Sequence, residues 1–220
     1  MKYKCKPSIL TRCLSFFIAV CCLFSVSSYV SAHEIFYDGL IAYPVRWSIM
    51  KNDKVYWQIY NLGLPTFYSR NFSTAVYAWK IACPYQVHSA ITTNYSSANI
   101  VILQPSASSW EAIAGDYPNL GGYCECLTTD GVFLNDVQDA KNSSRKIKFA
   151  KIYLTPHTNL ISNDTEAKAI MVHELGHALG LGHAPDIEPS IMRTPPYSPT
   201  LGRTSYSPQS HDKTDVANFY

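Results

Sequence analysis

Apolar and polar positions along the chain predict a few strands and two long helices. The run VYWQIY at 55–60 is rich in β-branched and aromatic residues and lies between Asn52-Asp53 and Asn61-Leu62-Gly63, which predicts a first central strand. From Ser73 onward Ala75, Val76, Trp79, Ile81 and Ala82 fall at helical spacing, and the Cys83-Pro84 step predicts where that helix stops. NIVIL at 99–103, ended by Pro105, predicts a short strand buried on both faces. Residues 121–127 and 147–154 predict two more strands. The stretch 104–122, full of Ser, Pro and Gly without a period, predicts a long surface loop.

Asn163 followed three residues later by Glu166 is a helix-start signature, and Ala167, Ile170, Met171, Leu175 and Ala178 continue at helical spacing. After Gly180 the chain is proline-rich through Pro208, and Asp212 opens a final helix toward Tyr220. No repeat or interdomain linker interrupts this pattern. With 220 residues, 47% hydrophobic and 15% charged, the chain is sized for one core.

The first residues stand apart from that core. Lys2, Lys4, Lys6 and Arg12 form a basic region, an apolar run follows at 14–26, and Val30, Ser31 and Ala32 offer a small-residue cleavage site. Ser25, Ser27 and Ser28 interrupt the run before it reaches membrane-spanning length. Residues 1–32 are therefore expected to be a cleaved export signal and 33–220 the exported domain, bound for the exterior, with the periplasm or cell surface as alternatives. The signal holds four of the 18 Lys and Arg and none of the 16 Asp and Glu, so its removal changes the net charge from +2 to −2. A slightly acidic domain with no basic run offers no footprint for nucleic acid or for stable membrane association. Three cysteines remain, Cys83, Cys124 and Cys126. In an oxidising compartment a bridge from Cys83 to Cys124 or Cys126 is expected, because an i, i+2 pair on a strand makes a poor disulfide.

The chemistry is concentrated at HELGHALGLGH, residues 173–183. His173 and His177 lie one helical turn apart on one face and can direct two imidazoles at a single ion. Glu174, one position on, is placed to reach a water there as general base. Gly180 permits a left-handed helix end that brings His183 back as third ligand. Three neutral imidazoles leave a fourth position open, as in catalytic zinc sites.

These residues resemble the metzincin zinc signature HExxHxxGxxH at all five defining positions, and Ser190-Ile191-Met192 resembles the Met-turn of that clan, with Met192 as its methionine. The sequence is closest to the matrixin form, although Ala184 follows the third histidine where matrixins usually carry serine. The resemblance implies an α/β (α+β metzincin-like) fold with a twisted, mostly parallel five-stranded sheet, an active-site helix and a small C-terminal subdomain. It also implies a zinc metalloendopeptidase acting on protein or peptide substrates. One zinc ion is expected, held by His173, His177 and His183. His88 and His157 stand alone, so calcium or a second zinc is not expected. A monomer is the simplest assembly.

Tyr197, beyond Pro195 and Pro196, matches tyrosines that wall the matrixin substrate pocket, beside the plainer reading of an exposed loop tyrosine. Phe36-Tyr37-Asp38-Gly39 resembles short N-terminal segments in small bacterial matrixin-like proteases whose aspartate blocks zinc. That makes Asp38, within residues 33–45, a candidate inhibitory ligand, with a simple Asp-Gly turn as the alternative reading. A reading from another class is a secreted zinc-binding effector or binding protein that does not cleave peptides.

Overall fold

The alternating run at 55–60 lies at the heart of a sheet in this computed structural model, which describes residues 46–52, 54–115, 117, 119–134, 146–161, 163–184, 189–193 and 205–220. A two-residue strand β1 (Met50–Lys51) folds back antiparallel onto β2 (Lys54–Leu62). Val55, Trp57 and Ile59 of β2 are fully buried, whereas Tyr56, Gln58 and Tyr60 between them are half-buried on the other face.

Helix α1 (Thr66–Ala82) starts ahead of the predicted Ser73, because Pro65 sets the entry and Tyr68 and Phe72 extend the buried stripe of Ala75, Val76 and Trp79. It stops at Cys83, before Pro84, as the sequence predicts. Strand β3 (Val87–Ile91) was not visible in the pattern, since VHSAI places the polar Ser89 at a buried position. The Ser89 hydroxyl is satisfied by donating to the Val76 carbonyl at 2.8 Å.

In β4 (Ile100–Leu103) Ile100, Val101 and Ile102 are all buried, as expected for a strand covered on both faces. Asn99 ties its start to β2, donating from Nδ2 to the Tyr56 carbonyl at 2.7 Å and accepting the Gln58 N–H at 2.8 Å. The predicted loop at 104–122 instead contains α2 (Ala107–Ala114). Ser106 caps it by accepting the Ser109 N–H, and Trp110 and Ala114 are buried. Two serines among eight residues conceal a helical period too short to register.

The remaining elements are β5 (Gly122–Thr128), β6 (Ile147–Leu154), α3 (Asp164–Ala178) and α4 (Ser210–Phe219). Ile59 pairs with both Ile91 and Ile100, so β3 and β4 flank β2 on opposite sides, each parallel to it. β6 adds parallel to β4, and β5 closes that edge antiparallel to β6. The sheet is thus mostly parallel, with five long strands and the short β1, and the matrixin-like expectation for the fold is met. Helices α1 and α3 pack on each other, α1 against β3 and α3 against β5 and β6.

Aromatic donors from distant segments hold α3 in place. Trp79 Nε1 donates to the Val172 carbonyl at 2.8 Å. Trp47 Nε1 and the Tyr220 hydroxyl donate to the carbonyls of Ala178 and Leu179 at 2.5 and 2.8 Å. The latter two carbonyls end the helix and have no partner within it, so the indole and phenol complete what the helix alone leaves open.

Candidate active site

Helix α3 begins as its sequence demands. The Asn163 side chain accepts the Glu166 N–H at 3.0 Å, and Asp164 and Glu166 place negative charge in the first turn. It ends on a Schellman pattern: Leu181 N–H donates to the Gly176 carbonyl at 3.1 Å and Gly180 N–H to the His177 carbonyl at 2.9 Å. Gly180 sits at φ +93°, the left-handed conformation that the sequence reading required there. The chain then turns back and presents His183.

His173, His177 and His183 come together, with one ligand atom from each lying within 4.8 Å of the others. His173 is buried, His177 partly buried and His183 exposed, so the cluster is open on one side. His173 Nδ1 lies 2.8 Å from the Ile191 carbonyl, and His177 Nδ1 lies 2.7 Å from the Leu181 carbonyl. A carbonyl only accepts, so each Nδ1 carries the proton and each neutral ring turns an Nε2 lone pair inward. Those two Nε2 atoms are 3.1 Å apart. Two lone pairs facing each other at that distance call for a cation. Ligands about 2.05 Å from a tetrahedral zinc would be about 3.4 Å apart, so the donor set fits zinc in both chemistry and spacing.

Glu174 is buried, with 4% of its surface exposed. Burial pushes its carboxyl up to about 8, into the range of a neutral-pH base, while a divalent cation beside it pulls in the opposite direction. Its carboxylate rests against Gly122 of β5. A Cβ at Gly122 would lie 2.7 Å from Glu174 Cγ and Oε1 and 2.9 Å from Cδ. Glycine at 122 therefore leaves the volume that the carboxylate occupies.

Met192 is fully buried and packs against α3 at Gly176. A Cβ on Gly176 would collide with Met192 Sδ and lie 2.9 Å from Trp79 Cζ2, so the bare backbone allows the methionine to close beneath the helix. Met192 O accepts the Ala184 N–H at 2.9 Å, which ties the His183 segment to this turn. Behind it stands Asp212 of α4, fully buried, a residue that the sequence reading used only as a helix start. Its carboxylate accepts the Ser190 hydroxyl, the Ile191 N–H at 3.0 Å and the Gln209 N–H at 2.6 Å. Ser190 Oγ in turn accepts the Met192 N–H at 2.8 Å. Asp212 thus fixes the backbone whose Ile191 carbonyl orients His173. Asp212, Gly122 and Gly176 were missed because their roles depend on contacts between remote segments. Tyr197 and Asp38 lie outside the described residues.

The cysteines differ from the expected pairing. Cys83, Cys124 and Cys126 are all free, and the sulfurs brought together are those of Cys124 and Cys126, 3.9 Å apart. Both side chains lie on the same side of β5, which spacing along an extended strand dictates.

The family model described as Matrixin (Peptidase_M10) matches residues 68–220. No curated protein matches the chain at a significant level. A solved structure titled "Structure of Myroilysin" is similar at 14% identity, covering 85% of this chain and 90% of that one, with a TM-score of 0.41.

Proposed function

The chain belongs to the matrixin family of metallopeptidases, and from that premise we propose that it is a secreted zinc endopeptidase with His173, His177 and His183 as metal ligands and Glu174 as general base. The observation that carries this reading is the convergence of two Nε2 lone pairs 3.1 Å apart, each fixed by a backbone acceptor behind it, beside a buried carboxylate. A purely structural zinc site uses four protein ligands, whereas among the described residues three side chains converge here and the exposed His183 marks an open side.

Zinc held by His173, His177 and His183 would supply a Lewis acid for the scissile carbonyl and would lower the pKa of a bound water toward about 7. Glu174 takes the proton of the attacking water on its carboxylate and passes it to the leaving amine as the C–N bond breaks. Desolvation raises the Glu174 carboxyl and so favours its taking up that proton, and Gly122 lets it occupy its place. No covalent intermediate is required.

The substrate backbone adds to the outer edge of β5, giving main-chain hydrogen bonds along an extended peptide. The far end of β5 is already engaged, since Leu134 N–H donates to the Cys126 carbonyl at 2.9 Å and Leu127 bridges Phe133. That leaves 122–125 as the stretch for the peptide. Residues 1–32 act as the export signal, and among the described residues no helix is long and apolar enough to cross a membrane.

The test is cleavage of casein by the purified mature chain, with and without a zinc chelator, beside Glu174→Ala. Chelator-sensitive cleavage that drops by about 10²–10⁴-fold in the variant, with zinc retained, is expected. Zinc binding without cleavage of casein or of a peptide library would replace this reading with that of a zinc-binding effector.

A further inference from the structure

The row of β5 side chains that faces α3 holds Gly122, Cys124 and Cys126, and its two sulfurs are 3.9 Å apart. Their register partners on β6, Ile152 and Ala150, are both fully buried. Cys126 is itself buried, with 4% exposed, and Cys124 is partly buried against the core. Neither belongs to the histidine cluster.

Two chemistries suit a close pair of thiols, and geometry separates them. A disulfide needs sulfurs about 2.05 Å apart and Cα atoms no more than about 6.8 Å apart. Two residues along an extended strand place the Cα atoms about 6.6 Å apart, near the upper end of that range and beyond its mode of about 5.5–6 Å, so closing the bond would strain the edge strand. Tetrahedral coordination at a metal–sulfur distance of about 2.3 Å places two sulfurs about 3.8 Å apart, which is the separation found. The thiols stand ready to chelate and poorly placed to bond.

We propose that Cys124 and Cys126 form a chelating dithiol for a soft divalent cation, a second metal site separate from the histidine triad. The Cys126 hydrogen bond, and then burial, hold the Cys124 thiol well above its usual range. Chelation breaks two S–H bonds, releases both protons to solvent and forms two S–metal bonds, with no change of oxidation state. The two thiolates neutralise the cation, which makes its partly buried position acceptable, and water completes its coordination from the Cys124 side.

The experiment is titration of the zinc-loaded mature chain with Cd²⁺, followed by the ultraviolet thiolate-to-cadmium charge-transfer band, which imidazole ligands do not give. One equivalent should generate the band in the wild type and in Cys83→Ser. Cys124→Ser and Cys126→Ser should each weaken apparent binding by about tenfold or more, and the double variant should lose the band. Absence of the band in the wild type, its survival in the double variant, or a thiol count showing Cys124 bonded to Cys126 would each overturn the proposal. Should Cys126→Ser fail to fold, the cadmium NMR resonance of the wild type decides: a sulfur-ligated shift supports the site and a shift for nitrogen and oxygen ligands alone ends it.

Discussion

Gly122→Ala adds one methyl group to the edge strand at the place where the proposed general base rests. The new Cβ would stand 2.7 Å from Glu174 Cγ and Oε1 and 2.9 Å from Cδ, closer than carbon and oxygen atoms pack without bonding. Gly122 is absent from the positive-φ positions, so alanine meets no left-handed-backbone penalty, and the three atoms nearest the new Cβ all belong to Glu174. Either the carboxylate swings away or β5 moves outward. Losing a general base costs about 10²–10⁴-fold, and a misplacement of about 1 Å costs about 10²-fold, so kcat/KM should fall by about 10²-fold or more. Stability should fall by about 2.5 kcal/mol at most. Overpacking costs about 1–3 kcal/mol, and replacing glycine returns about 0.5–1 kcal/mol through the unfolded chain.

The assay is a double-mutant cycle on kcat/KM toward a quenched peptide, with zinc content and thermal unfolding measured on each variant. If Gly122 acts through Glu174, then Gly122→Ala in a Glu174→Ala background should change the residual rate by less than about threefold, because the carboxylate that it displaces is already gone. Additive losses, or a Gly122→Ala single variant within about threefold of wild type, would refute both the packing argument and the role assigned to the pair.

Asp212→Asn replaces an acceptor of three hydrogen bonds with a side chain whose amide faces donors, and should cost about 1–3 kcal/mol by urea unfolding. Because it loosens the turn that orients His173, zinc affinity by chelator competition should fall about 10–100-fold. Gly176→Ala should destabilise the chain despite a helix-propensity gain of about 1 kcal/mol, since the Cβ meets Met192 Sδ and Trp79; a stabilised variant with unchanged zinc affinity would show that Met192 is free to move aside. Burial pushes the Cys83 thiol up to about 11. The raised value favours the neutral form in the fold, so its contribution is complete below about 8.5, the unfolded thiol pKa, and is lost as the pH rises through about 11. The urea midpoint should decline with pH across that window, and Cys83→Ser should flatten the decline.

The site helix and the grouping of its three histidines were legible because their information is local. Four-residue spacing places His173 and His177 on one face, and the conformational freedom of Gly180 returns His183. Asn163 and Glu166 announce the helix start in the same way. Strands β2, β4, β5 and β6 were visible as runs of apolar or alternating residues. What escaped was either too short to show a period, as in α2, or carried a polar residue whose partner lies elsewhere, as with Ser89 in β3. Cysteine pairing failed for another reason: i, i+2 spacing makes Cys124 and Cys126 a poor disulfide and turned the expectation to Cys83, whereas the strand sets the sulfurs of Cys124 and Cys126 3.9 Å apart.

The same division between local and remote information separates ligation from catalysis in this molecule. Eleven consecutive residues supply the three proposed metal ligands and the proposed base, yet the state of each depends on atoms far along the chain. The carbonyl that fixes the His173 tautomer belongs to Ile191, whose N–H is held by Asp212 of α4. The surface against which Glu174 rests belongs to Gly122 of β5, and the floor beneath the helix is Met192, admitted by Gly176. An isolated HELGHALGLGH peptide would keep the donor atoms but not the acceptor behind His173, the desolvation of Glu174 or the packed floor. It should therefore bind zinc more weakly and hydrolyse nothing, because pre-orientation and burial, rather than the presence of the ligands, make a base and a Lewis acid act at one carbonyl.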